Sequence, residues 1–130
     1  MIEFRLDPRS GVPTYLQLVH QVRQALRLGM LHPGDQLPTV KEVVTALAIN
    51  PNTVLKAYRE LEHEGLVGGR PGLGTFVLRS LAGPSLASHA ALRGELEAWL
   101  GRARAAGLDQ EDVVALVETT MRSSFQEGVA

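Results

Sequence analysis

Between Ile49 and Leu66 the chain reads INPNTVLKAYRELEHEGL. On a helical wheel of about 100° per residue, Val54, Tyr58 and Leu61 gather on one side. Asn52, Lys56, Arg59 and His63 lie opposite, with Thr53 and Glu60 flanking them. An amide, a hydroxyl and two cations on one helix face form a donor and acceptor set suited to base edges in a DNA major groove. An Asn amide can pair with N6 and N7 of adenine, and Lys or Arg can donate to O6 and N7 of guanine. Thr can hydrogen-bond a base or a phosphate while its methyl meets that of thymine. A helix N-terminus also accepts a phosphate. The set is concentrated toward the N-terminal half, where helices that enter the major groove present their readers. A solvated amphipathic helix would take the same residues, so the surrounding elements decide the reading.

The stretch opens like a turn, yet Asn50 is a good N-cap and Pro51 sits at the first helical position, where its missing N–H costs nothing. A shorter helix precedes it. Thr39-Val40-Lys41-Glu42 has the capping-box pattern, and Val43, Val44 and Leu47 give the apolar side of a helix ending near Leu47 or Ala48. Earlier still, Tyr15, Leu18, Val19, Val22, Ala25 and Leu26 share one side of a longer helix that Gly29 stops. Residues 1–13 read as an extended lead-in, and Pro33-Gly34-Asp35 as a turn. Two short helices joined by a tight turn after a longer one predict a helix-turn-helix. Gly65 ends the third helix. Leu66 and Val67, a turn from Arg70 to Gly74, and Thr75 to Arg79 then read as a β-hairpin, which in this place is the wing of a winged helix.

Residues 80–85 read as a linker. Two further helices are expected. One runs from Leu86 to Ala106, with Leu92, Leu96, Trp99 and Leu100 on its apolar side and Gly107 closing it. The other is capped by Asp109, with Asp112 at the capping-box position, and carries Val113, Val114, Leu116, Val117, Met121 and Phe125. The predicted fold is mainly α with a small β-hairpin: a winged helix-turn-helix over 1–79, then a two-helix C-terminal dimerisation hairpin within 80–130.

The bulk properties narrow the chemistry. The chain has 130 residues and no cysteine, which excludes disulfides, thiol nucleophiles and thiolate zinc sites and agrees with a cytoplasmic protein. No apolar run is long enough to cross a membrane, and the start lacks the pattern of a secretory signal. A net charge of −1 would not by itself suggest DNA, but residues 1–80 carry nine Lys/Arg against seven Asp/Glu, and residues 81–130 four against seven. GGRPGLG resembles a phosphate-cradling loop but leads into Thr-Phe-Val, a strand, without the Gly-Lys-Ser/Thr entry to a helix. His20, His32, His63 and His89 show no metal-ligand spacing, and no nucleophile has a base beside it. No cofactor, metal or catalytic residue is expected.

The run GDQLPTVKEVVTALAINPNTVLKAYRELEHEGLVGGRPGLGTFV resembles the DNA-binding domain of the GntR family of bacterial transcription regulators. The lead-in SGVPTYLQLVHQVRQAL and the core NPNTVLKAY are similar to its YtrA subfamily. The resemblance covers about residues 10–78. It implies a winged helix that binds operator DNA as a homodimer, with a short two-helix C-terminal part in place of a large effector domain. It also implies control of a transporter operon. Lys41 stands where the family usually has an arginine, a phosphate or base contact; lysine supplies charge without the planar fork. Asn50, Asn52 and Thr53 occupy the start of the family's recognition helix, and Pro51 there sets backbone direction. Gly72 and Gly74 match the wing tip, where backbone approaches the minor groove or a phosphate, with Arg70 as the charged partner beside it. With Lys56 and Arg59 these complete the expected DNA-contacting set.

The C-terminal helices admit two readings: a hairpin folded back on its own winged helix, or a dimer. Leu92, Leu96, Trp99, Val113, Leu116, Val117, Met121 and Phe125 are more large apolar groups than one helical hairpin can bury, and a second copy would cover the rest in a four-helix arrangement. A small-molecule effector, of identity unknown, would have room only in the tail dimer or between tail and winged helix. The rival from another class is a winged helix that meets protein instead of DNA, since fold alone does not fix function.

Overall fold

Helix boundaries follow from how each terminal turn satisfies its backbone. The computed structural model describes residues 1–83 and 86–126, so residues 84–85 of the expected linker and 127–130 of the tail lie outside the described part. The order is α1 (Thr14–Arg27), α2 (Val40–Leu47), α3 (Pro51–His63), β1 (Val67–Arg70), β2 (Gly74–Val77), α4 (Leu86–Ala105) and α5 (Gln110–Gln126). Two units separate, Met1–Leu86 and Ala87–Ala130. This is a winged helix-turn-helix followed by two helices.

In the N-terminal unit, α3 packs against both α1 and α2. Leu18, Val19, Val22 and Leu26 of α1, Val43 of α2 and Val54, Ala57, Tyr58 and Leu61 of α3 form one core with Leu37, Leu66, Val67 and Val77. The lead-in joins it through Phe4 and is pinned by two glutamines of α1. Gln17 Oε1 accepts from the Asp7 amide at 2.8 Å, and Gln21 Oε1 from the Arg5 amide at 2.9 Å. At the far end of α1, Arg23 forms a two-pronged ion pair with Glu64, its Nε donating to Oε2 at 3.1 Å, which ties α1 to the C-terminus of α3.

The hairpin is antiparallel, with Val67 opposite Val77 and Arg70 opposite Gly74. Arg70 and Gly74 are therefore the last rung of the ladder, where the sequence suggested they belong to the turn; the turn proper is Pro71-Gly72-Leu73, closed by the Leu73 amide on the Arg70 carbonyl at 2.9 Å. A third extended segment, legible from no local pattern, pairs with β2. Gln36 bridges Phe76, and the amides of Leu37 and Val77 donate to the carbonyls of Thr75 and Asp35 at 2.9 and 2.8 Å. The wing is thereby fastened to the segment that leads into α2.

In the C-terminal unit α4 ends at Ala105, one residue before the expected stop, and Gly107 turns the chain at φ +92°. The cap of α5 is reciprocal: the Asp112 amide donates to Asp109 Oδ1 at 2.8 Å, and the Asp109 amide to Asp112 Oδ2 at 3.1 Å. Among the described residues α4 and α5 do not pack face to face along their lengths, and α5 has no buried residue.

Candidate nucleic-acid interface

The turn between α2 and α3 sets the direction of α3. Thr39 and Glu42 complete the capping box of α2: the Glu42 amide donates to Thr39 Oγ1 at 3.1 Å, and Glu42 Oε1 accepts from the Thr39 amide at 3.3 Å. At the other end Ala48 adopts φ +54°, ψ +46°, the left-handed geometry that reverses the chain at a helix C-terminus. Alanine carries a Cβ into a conformation that favours glycine, a strain held in place by the helices on either side. Tyr58 then fixes α3. It is 4% exposed, and its hydroxyl donates to the Pro38 carbonyl at 2.5 Å. Burial, with the Glu42 carboxylate adding to it, pushes the Tyr58 phenol above its ordinary range, so it stays a neutral donor.

The expected contact residues separate by how far the fold already engages them. Asn50 is exposed, but its Oδ1 accepts from the Asn52 amide at 2.8 Å. The side-chain oxygen is thus committed to the cap, and among the described residues its amide N–H groups have no hydrogen-bond partner. Asn52 is exposed and Thr53 half-buried, both in the first turn of α3. Lys56 is exposed at its residue surface, yet its ammonium sits 4.1 Å from the centroid of the Tyr15 ring. This cation–π contact draws it toward α1. Arg59 and Lys41 are exposed and, among the described residues, have no hydrogen-bond or ion-pair partner. Asn52 and Arg59 therefore present unengaged side-chain groups on one face of α3, and Lys41 adds a charge from the first turn of α2.

At the wing, the Arg70 guanidinium lies 4.5 Å from the centroid of Phe76, stacked along the hairpin. The two glycines serve different purposes. Gly72 has φ +76° and open space around the position of a Cβ, so it provides the turn and nothing crowds it. Gly74 has φ +123°, and a Cβ there would lie 2.6 Å from Nε2 of Gln36, which itself donates to the Leu73 carbonyl at 2.9 Å. Its glycine is thus required internally, by the side chain that holds the wing tip. Gln36 was absent from the residues singled out in the sequence. Its role depends on a partner 37 residues away, which no local spacing announces. Among the described residues no group of His, Asp and Glu could hold a metal, and no helix is long and apolar enough to cross a membrane.

The gntR family of bacterial regulatory proteins matches residues 14–77, from the start of α1 to the end of β2. The HTH-type transcriptional regulator Rv1152 of Mycobacterium tuberculosis is 41% identical over 110 residues, covering 85% of this chain and 87% of that protein. The chain belongs to the GntR family. Within it, similarity to the HTH-type transcriptional repressor YtrA of Bacillus subtilis reaches 45% over 73 residues, which is 56% of each chain, so that match spans about half the length of the relative. The solved structure of YtrA from Sulfolobus acidocaldarius, a GntR-family transcription factor, superposes with a TM-score of 0.53 at 27% identity, covering 92% of this chain and 97% of the other. The protein is accordingly a GntR-family DNA-binding transcription regulator, and its relatives are named as regulators rather than enzymes.

Proposed function

We propose that this GntR-family protein is a repressor that binds a pseudo-palindromic operator as a homodimer in the cytoplasm. Each α3 would lie in the major groove, and each wing would rest on the adjacent minor groove or phosphates. The observation that carries the reading is the exposed face of α3. There Asn52 and Arg59 stand with unengaged side-chain groups on a helix whose N-terminus is capped by Asn50 and whose angle is fixed by Tyr58. Lys41, Asn50, Thr53, Lys56, Arg70, Gly72 and Gly74 are assigned to the same interface, with Arg70 and the backbone at Gly72 meeting phosphate or minor groove. The division of the chain into a DNA-binding part over 1–79 and a dimerising part over 80–130 belongs to this proposal.

The dimer is supported by what the C-terminal helices leave uncovered. Leu92, Leu96, Leu116, Met121 and Phe125 are exposed, and Trp99, Val113 and Val117 are half-buried. Two copies would bury these faces against each other in a four-helix arrangement and set the distance between the two recognition helices. Likeness to YtrA supports repression, and the resemblance read from the sequence points to a transporter operon as the target. An effector, if one acts here, belongs in the tail dimer, and calorimetry with candidate ligands would find it.

Fluorescence anisotropy tests the DNA reading, using duplex from just upstream of the protein's own gene, a scrambled duplex and two salt concentrations. Tight binding to the native duplex alone, weakening steeply with salt, is expected. Absence of binding to either duplex at low salt would favour the protein-contact alternative.

A further inference from the structure

The reading face of α3 carries one large apolar side chain, and the residue's type and position were not part of the expected contact set. Leu55 keeps 37% of its surface exposed, whereas Val54, Ala57, Tyr58 and Leu61 of the same helix are buried. A lone exposed leucine is ordinary on a protein surface; its neighbours distinguish this one. Asn52 stands three residues before it and Arg59 four after, both exposed, so the three form one stripe along the helix. From Asn52 to Arg59 the stripe rises about 10 Å at 1.5 Å per residue, roughly three base-pair steps of 3.4 Å. Lys56, the next residue round the helix, is drawn to the Tyr15 ring on α1. The middle of the stripe is therefore left to methyl groups, flanked by an amide and a guanidinium.

Resting on the operator reading above, we propose that Leu55 reads a thymine. Its methyl groups pack on the C5-methyl of one thymine in each half-site, between the bases contacted by Asn52 and Arg59. That methyl is the apolar mark of thymine in the major groove. Cytosine in its place would set its N4 amino group against leucine, which has no acceptor to offer, so the amine would lose its water without replacement. Asn52 and Arg59 supply hydrogen-bonded recognition on either side, and Leu55 supplies a preference that hydrogen bonds alone cannot express.

The test begins with the duplex that the full-length chain enriches from a randomised pool. Deoxyuridine then replaces each thymine singly, removing the methyl while keeping every hydrogen-bonding group. One position per half-site is expected to lose about fourfold in affinity, as for one methyl withdrawn from a buried contact. Leu55→Ala should bind the unmodified duplex several-fold more weakly and show no further loss with deoxyuridine at that position. Alanine favours the helix, and circular dichroism checks that the variant is folded. Indifference of the wild type to every deoxyuridine, or an undiminished penalty in Leu55→Ala, would overturn the thymine contact while leaving operator binding intact. Failure to enrich any sequence would overturn the operator reading and this proposal with it.

Discussion

In the N-terminal unit Leu18, Leu26, Leu37 and Leu61 are sealed from solvent, whereas in the C-terminal unit Leu92, Leu96, Met121 and Phe125 each keep half or more of their surface exposed. The two regions use similar aliphatic residues and similar helix caps. They differ in how many elements converge. Three helices, a hairpin and the bridge at Gln36 enclose a core from several sides, whereas among the described residues α4 and α5 do not pack face to face along their lengths. In the proposed dimer a second copy would cover this apolar surface. Under the proposed reading, the closed unit would present side chains to DNA, and the open unit would set how far apart two such sets stand.

The sharpest way to break this contrast is to charge the open unit. Leu96→Glu together with Phe125→Glu should abolish pairing and lower operator affinity about a hundredfold through lost bivalency, while the N-terminal unit keeps its fold. Sedimentation velocity and anisotropy report the two effects separately. In the closed unit, Arg59→Ala should cost about 1–3 kcal/mol of binding and relax specificity at one base pair. Lys56→Ala should cost less, because its ammonium already rests on Tyr15. If either acts only on phosphate, the salt slope falls by about one per site instead. Titrations over a range of salt on native and mutated duplexes tell these roles apart.

Smaller effects sharpen the picture of the closed unit. Gly74→Ala should lower its stability by about 1–3 kcal/mol, since the new Cβ meets both an unfavourable φ and the Gln36 amide. Denaturant unfolding measures it. Ala48→Gly should raise stability by up to about 1 kcal/mol, by relieving the left-handed residue between α2 and α3. A gentler effect appears at high pH. The folded state holds the Tyr58 proton more tightly than the unfolded chain, whose tyrosine ionises near its ordinary value of about 10. This contribution is therefore complete below that pH and declines as pH rises above it. Tyr58→Phe should be less stable near neutrality through loss of the bond to Pro38, and should lose this part of the alkaline decline. Unfolding curves across that range check the sign.

Much of the fold was legible because its signals are local. Asn50 and Pro51, Thr39 with Glu42, and Asp109 with Asp112 mark helix starts through bonds spanning three residues or fewer. Gly29 and Gly65 mark stops through their own φ, and the alternation of buried side chains follows the helical repeat. Long-range contacts leave no such trace. Nothing in the spacing announces that Gln36 holds the wing, that Lys56 turns toward Tyr15, or that Gly74 is needed to accommodate Gln36. Leu55 lay between the buried and polar sides of the wheel, where one helix by itself cannot show which neighbours will cover it. For the tail, the apolar excess was readable from the helical pattern, and the second copy proposed to cover it leaves no trace in local spacing.

The most direct test is the stoichiometry of the operator complex, measured by sedimentation equilibrium of the full chain with a duplex carrying both half-sites. Two chains per duplex, assembled from protein that is already dimeric when free, is the expected result. One chain per duplex, with free protein monomeric, would contradict pairing through the open helices.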